Sequence, residues 1–146
     1  MILQQSCLIV DDSDVVRRVM RSIIEDLGFL VKDTTSTEAA LVACRKRLPD
    51  IIVLDWHIPG NQPMEIMAAV RSLPNGRNTK ILFVPTENDP VEIGRAIASG
   101  ANDYLLKPFY RVGLETKVAA LTTIKREAAH DDDYFRIAPQ RAAAKR

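Results

Sequence analysis

The sequence predicts an α/β fold, a doubly wound parallel sheet of five strands with five helices over its two faces. Three observations predict it. Short β-type runs alternate with segments of helical period five times within about 120 residues, the alternation that builds parallel sheets. Residues 7–10, 51–54 and 81–84 are apolar without a break, as strands covered on both faces are. The segments between them carry apolar stripes at helical spacing, bounded by capping residues, glycines and prolines.

The first strand, residues 7–10, runs directly into Asp11 and Asp12. Val15, Val16, Val19, Met20, Ile23, Ile24 and Leu27 then form one wide helical stripe. Arg17, Arg18, Arg21 and Glu25 lie mostly off it, and Gly28 offers a left-handed stop. Residues 30–34 make a second, more polar strand. Thr35 and Glu38 have capping-box spacing for a helix carrying Ala39, Ala40, Ala43 and Cys44 on to Leu48, ended by Pro49. Residues 51–54 are the third strand. A third helix spans residues 63–72, with Glu65 in its first turn and Ile66, Met67 and Val70 inward; residues 73–80 read as a polar loop.

Residues 81–84 are the fourth strand. Asp89, Pro90 and Glu92 supply the N-cap, the first-turn proline and the capping-box acid of a helix reaching Ser99, which Gly100 closes. Residues 103–106 are the fifth strand. A fifth helix starts at Arg111, with Leu114, Val118, Leu121 and Ile124 on one face. From Ala128 the period fails. Residues 124–146 therefore read as a helix extension passing into a disordered tail, and residues 1–123 as one domain.

Composition narrows the function. Of 146 residues, 47% are hydrophobic and 27% charged, a globular balance. A net charge of +1 supplies no field to recruit nucleic acid or an anionic membrane. The last 22 residues carry +2 and the rest −1. Cys7 and Cys44 each sit in an apolar run and read as core residues of a reduced protein. No stretch approaches the roughly 20 apolar residues of a membrane span, and the opening lacks a signal-peptide pattern. The expectation is a soluble, cytoplasmic protein.

Ligands of such sheets collect beyond the carboxyl ends of the strands. Asp11 and Asp12 follow the first strand, Asp55 the third, Thr86 the fourth and Lys107 the fifth. Three carboxylates in one crevice repel unless a cation sits among them. Oxygen donors without a His or Cys cluster favour a hard ion, Mg²⁺ above all. A carboxylate held this way, with a lysine beside it, is equipped to accept a phosphoryl group.

In order and spacing, CLIVDD, IIVLDWHIP and SGANDYLLKPF resemble the receiver domain of two-component response regulators, from Ser6 to about Thr123. WHIPG, VPTENDP and YLLKPF are similar to the chemotaxis-type single-domain receivers. The resemblance implies a flavodoxin-like sheet in the order 2-1-3-4-5 and Asp55 as phosphoacceptor. It implies Mg²⁺ held directly by Asp12, Asp55 and the backbone carbonyl of His57, and through water by Asp11. Lys107 would pair with the phosphoryl oxygens and Tyr104 would be the rotating aromatic switch. The implied partners are a histidine kinase or phosphotransfer protein and a downstream protein. The downstream contact would use the face of the fourth helix, fifth strand and fifth helix, because the residues after 123 are too few for an effector domain.

Such a protein is a phosphoacceptor rather than a turnover enzyme. The Asp-x-Asp of haloacid-dehalogenase-type phosphatases, a rival use of Mg²⁺ and carboxylates, is absent: Trp56 and His57 follow Asp55. Trp56 reads as a partly exposed reporter beside the site, and His130 as a tail residue. Two departures stand out. The family's hydroxyl position after strand four falls on Pro85, with Thr86 next to it as a stand-in for site and switch. The glycine of the loop after Asp55 falls on Pro63, preceded by Asn61 and Gln62. Pro85 motivates the alternative function, a degenerate receiver that serves as a phosphorylation-independent interaction module.

Overall fold

Aliphatic and β-branched runs that can be covered on both faces build the centre of the sheet. β1 (Ser6–Val10), β3 (Ile51–Asp55) and β4 (Lys80–Val84) are buried along nearly their whole length. The more polar β2 (Leu30–Thr34) and the two-residue β5 (Asp103–Tyr104) take the edges. All pairs are parallel, and the order is β2-β1-β3-β4-β5. This computed structural model describes residues 4–55 and 63–122.

Alternation along each strand divides the core in two. Leu8, Val10, Ile52, Leu54, Ile81 and Phe83 face α2 (Thr37–Lys46), α3 (Pro63–Ser72) and α4 (Pro90–Ala98). Cys7, Ile9, Ile51, Val53, Leu82 and Val84 face α1 (Asp14–Asp26) and α5 (Arg111–Leu121). Cys7 and Cys44 consequently lie in opposite halves of the core and stay free thiols. Burial pushes the Cys44 thiol up to about 11 and the Cys7 thiol further up, so neither ionises near neutral pH. Among the described residues, no helix is long and apolar enough to cross a membrane.

Several stop and start signals act as the sequence predicts. Asp89 Oδ1 caps α4 by accepting from the Val91 N–H at 3.0 Å, with Pro90 at the first helical position. Gly28 and Gly100 take φ of +96° and +125°, which a side chain would strain. The buried residues of α3 include Ile66, Met67 and Val70, as expected.

Other signals read differently in three dimensions. Ser36, not Thr35, caps α2: its Oγ accepts from the Ala39 N–H at 3.1 Å, and the helix stops at Lys46. The α1 stripe is narrower than its spacing suggests. Met20, Ile23 and Ile24 are buried, whereas Val15 and Val19 are 65% and 47% exposed. A helix lying on a sheet covers only one sector of its circumference, and these two valines sit one row round from it. The loop before β4 contains a 3₁₀ turn, Gly76–Asn78. β5 is shorter than expected, yet the Leu105 and Lys107 amides still donate to the Phe83 and Pro85 carbonyls at 2.9 and 2.8 Å. Trp56, His57, Asn61, Gln62 and the segment from 123 to 146 lie outside the described residues.

Candidate functional site

The parallel register assembles the site. Val10 pairs with Leu54, so the next residues, Asp11 and Asp55, leave adjacent central strands side by side. The Asp11 N–H donates to the Thr34 carbonyl at 3.1 Å, anchoring the end of β1 to β2. Asp11 and Asp55 are buried and Asp12 is exposed. One carboxylate oxygen from each of the three lies within 4.8 Å of the others. The Lys107 amide on the Pro85 carbonyl aims the lysine back over these strands. Its Nζ stands 2.8 Å from Asp11 Oδ2 and 3.4 Å from Asp55 Oδ1.

Burial pulls the Lys107 ammonium toward a lower pKa. The hydrogen bond to Asp11 and the charges of Asp55 and Asp11 together outweigh it, and the pKa ends above the ordinary lysine value. Lys107 is therefore a fixed positive charge at neutral pH. Asp11 is held on every side. Its Oδ1 accepts from the Ser13 N–H at 2.9 Å, and its carbonyl accepts from Arg17 Nη1 at 2.8 Å. Arg17 also pairs with Asp14 and stands 3.9 Å from Asp33.

Three carboxylates against one ammonium leave the cluster two charges short of neutral. Its donors are all oxygens, two buried and one open to water. This donor set fits a hard divalent cation that keeps part of its water shell, as Mg²⁺ does.

The other predicted residues fall at different depths. Pro85 is buried at the mouth of β4, and Thr86 is exposed. Tyr104 is half-buried, its ring centroid 5.9 Å from that of Phe83. Lys117 Nζ lies 5.6 Å from the centre of the Tyr104 ring and 2.9 Å from Asp103 Oδ2. His57, the fourth expected metal ligand, is outside the described residues.

Sequence reading missed two participants. Arg17 was visible only as a polar residue off the α1 stripe, and Lys117 carried no signal in the sequence. Arg17 lies six residues after Asp11 and three after Asp14. That local spacing was the one available signal; nothing in the sequence links Lys117 to Tyr104.

Known proteins share this arrangement of chain. The family model described as the response regulator receiver domain matches residues 7–119. The chemotaxis protein CheY of Pseudomonas aeruginosa is 33% identical over 116 residues, which are 76% of this chain and 90% of that protein. The phosphate regulon transcriptional regulatory protein PhoB of Rhizobium meliloti is 30% identical over 113 residues, 77% of this chain but only 50% of that longer protein. Among solved structures, the chemotaxis response regulator CheY4 of Vibrio cholerae has a TM-score of 0.77 at 28% identity. The match covers 82% of this chain and 99% of that one.

Proposed function

The chain belongs to the response regulator receiver domain family, and from that premise we propose that Asp55 is its phosphoacceptor, in a receiver that acts through protein contacts. One observation carries this reading: the Asp11, Asp12 and Asp55 carboxylates converge while Lys107 reaches both buried members.

An Asp55 oxygen would attack phosphorus in line with the leaving group of a phosphohistidine or small acyl phosphate. Lys107, 3.4 Å from Asp55 Oδ1, would take up a phosphoryl oxygen. Asp11 holds that ammonium in position through its 2.8 Å contact. Asp12 and Asp55, with the His57 carbonyl, would hold Mg²⁺ directly and Asp11 through water; the ion would neutralise charge gathering on the phosphoryl oxygens. The donor would be a histidine kinase or phosphotransfer protein. Output would leave by the face of α4, β5 and α5, where Tyr104 is the proposed switch. Val91, Ile97 and Tyr110 are large exposed apolar residues on α4 and at the head of α5, which supports that face as a contact surface.

Incubation with Mg²⁺ and acetyl phosphate, read by intact mass, should add one phosphoryl group to the wild type and none to Asp55→Asn. Uptake by Asp55→Asn would remove Asp55 from its role.

Pro85 limits the reaction. It offers neither hydroxyl nor N–H where the family places a hydroxyl, and the neighbouring Thr86 is exposed. One missing charge-assisted hydrogen bond is worth about tenfold or more in rate. Pro85→Thr should therefore accelerate uptake or strengthen the Tyr104 response by about tenfold, while Thr86→Ala tests the stand-in hydroxyl. Pro85 in place of the family's hydroxyl motivates one second reading, the phosphorylation-independent module. That reading takes over if the wild type accepts no phosphoryl group from any donor and Pro85→Thr does.

A further inference from the structure

We propose that residues 131–135, with the sequence DDDYF, dock on their own molecule in a groove between the edge strand β2 and the end of α2. The groove lies at the amino ends of the strands, remote from Asp11, Asp55 and Lys107. The expected function does not use it.

The groove is an open cavity of about 90 Å³, lined by Leu8, Leu30, Lys32, Ala43, Arg47 and Pro49, among others. The β1–β2 register places Ser6 beside Leu30 and Leu8 beside Lys32, in the row of the sheet that α2 covers. α2 ends at Lys46, and beyond it the cover stops: Leu30 is 53% exposed on the sheet edge. The rim is basic. Lys32 and Arg47 line the cavity, and Arg45 and Lys46 stand in the last turn of α2. Among the described residues, none of these four cations has a carboxylate partner, whereas Arg17, Arg21, Lys107, Arg111 and Lys117 all do. Asp50, the acid beside Ser6, accepts from the Ser6 N–H at 2.7 Å.

Where the described chain ends decides the occupant. The Thr122 carbonyl accepts from Gln5 Nε2 at 2.8 Å, and the Gln5 carbonyl accepts from the Leu30 N–H at 2.9 Å. The chain thus leaves α5 one residue away from the wall of the groove. Eight residues lie between Thr122 and Asp131, which gives the segment a reach of up to about 30 Å. Asp131, Asp132 and Asp133 supply three adjacent negative charges, and Tyr134 and Phe135 follow them. That pattern complements a cationic rim around an apolar cavity. The other charged side chains of residues 123–146, Glu127 apart, are basic, and a cationic rim would repel them. Burial of one aromatic ring beside Leu30 supplies the attraction, and the carboxylates set the register. Docking would also cover part of the unpaired edge of β2.

Amide hydrogen exchange and ¹⁵N chemical shifts of the full chain test this. Three variants are compared with wild type: Tyr134→Ala with Phe135→Ala; Asp131→Asn, Asp132→Asn and Asp133→Asn together; and Arg47→Glu. In each, amides of residues 30–32 and 43–47 should shift, and those protected in wild type should exchange about fivefold faster or more. Phosphoryl uptake from acetyl phosphate should be unchanged, which also reports that the variants are folded. Unchanged shifts and exchange in both tail variants would overturn the proposal. Protection that appears only at high protein concentration, together with a dimer in sedimentation, would also overturn it, by giving the groove to the tail of a second copy.

Discussion

Two corners of the same sheet treat charge in opposite ways. At the carboxyl ends, Asp11, Asp12 and Asp55 crowd together, and one ammonium reaches Asp11 and Asp55. At the amino ends of β4 and β5, Arg71 is a cation among neutral acceptors. Its Nη1 donates to the Gly76 and Thr79 carbonyls at 2.8 and 2.6 Å, and its Nη2 to the Gly100 carbonyl and Asn102 Oδ1 at 2.6 and 3.1 Å. Asn102 Oδ1 also accepts from the Ile81 N–H, and Thr79 Oγ1 donates to the Pro49 carbonyl. One side chain thereby ties the end of α3 to the turns entering β4 and β5. The Arg71 corner satisfies its polar groups with its own chain and holds the fold. The acidic corner leaves negative charge unbalanced, a state that costs stability unless a ligand supplies the missing cation.

The contrast breaks most sharply at Gly76. A Cβ there would lie 1.8 Å from the Val70 carbonyl oxygen and 2.9 Å from its carbon, both backbone atoms that cannot swing aside. Gly76→Ala should cost on the order of 3 kcal/mol in urea unfolding. A loss below about 1 kcal/mol would mean that the corner yields and does not brace the fold.

Arg71→Met keeps most of the stem and removes the four hydrogen bonds. A loss of about 2 kcal/mol is expected, with phosphoryl uptake retained, because the corner is remote from Asp55. Equal stability with impaired uptake would reverse the roles assigned to the two corners.

The acidic corner should respond with the opposite sign. Asp55→Asn relieves like-charge crowding, so without Mg²⁺ it should stabilise the fold by about 1 kcal/mol. Wild type should gain more than the variant when Mg²⁺ is added, through binding to the folded state. Asp11→Asn should show no such gain, since Lys107 and the Ser13 N–H both depend on that carboxylate. Melting curves in which Asp55→Asn is the less stable protein without metal would contradict the crowding.

The order of strands and helices, the caps at Asp89 and Pro90, and the glycine stops at Gly28 and Gly100 were legible in the sequence. They rest on periodicity and backbone preference, which act over a few residues. The candidate site was legible for a related reason: a strand end marks where its carboxylate will stand, and a parallel sheet brings all such ends to one edge. Contacts that join distant residues were decided by tertiary structure. Lys107 meets Asp11 across 96 residues, and the meeting depends on β5 pairing with β4 in one register. Arg71 looks like an ordinary last-turn arginine until the turns before β4 and β5 fold over it. Val15 and Val19 repeat at core spacing, yet the sheet covers only the sector of α1 that holds Met20, Ile23 and Ile24 and leaves these two exposed. Local sequence sets which face a residue takes on its own element; packing alone decides what that face meets.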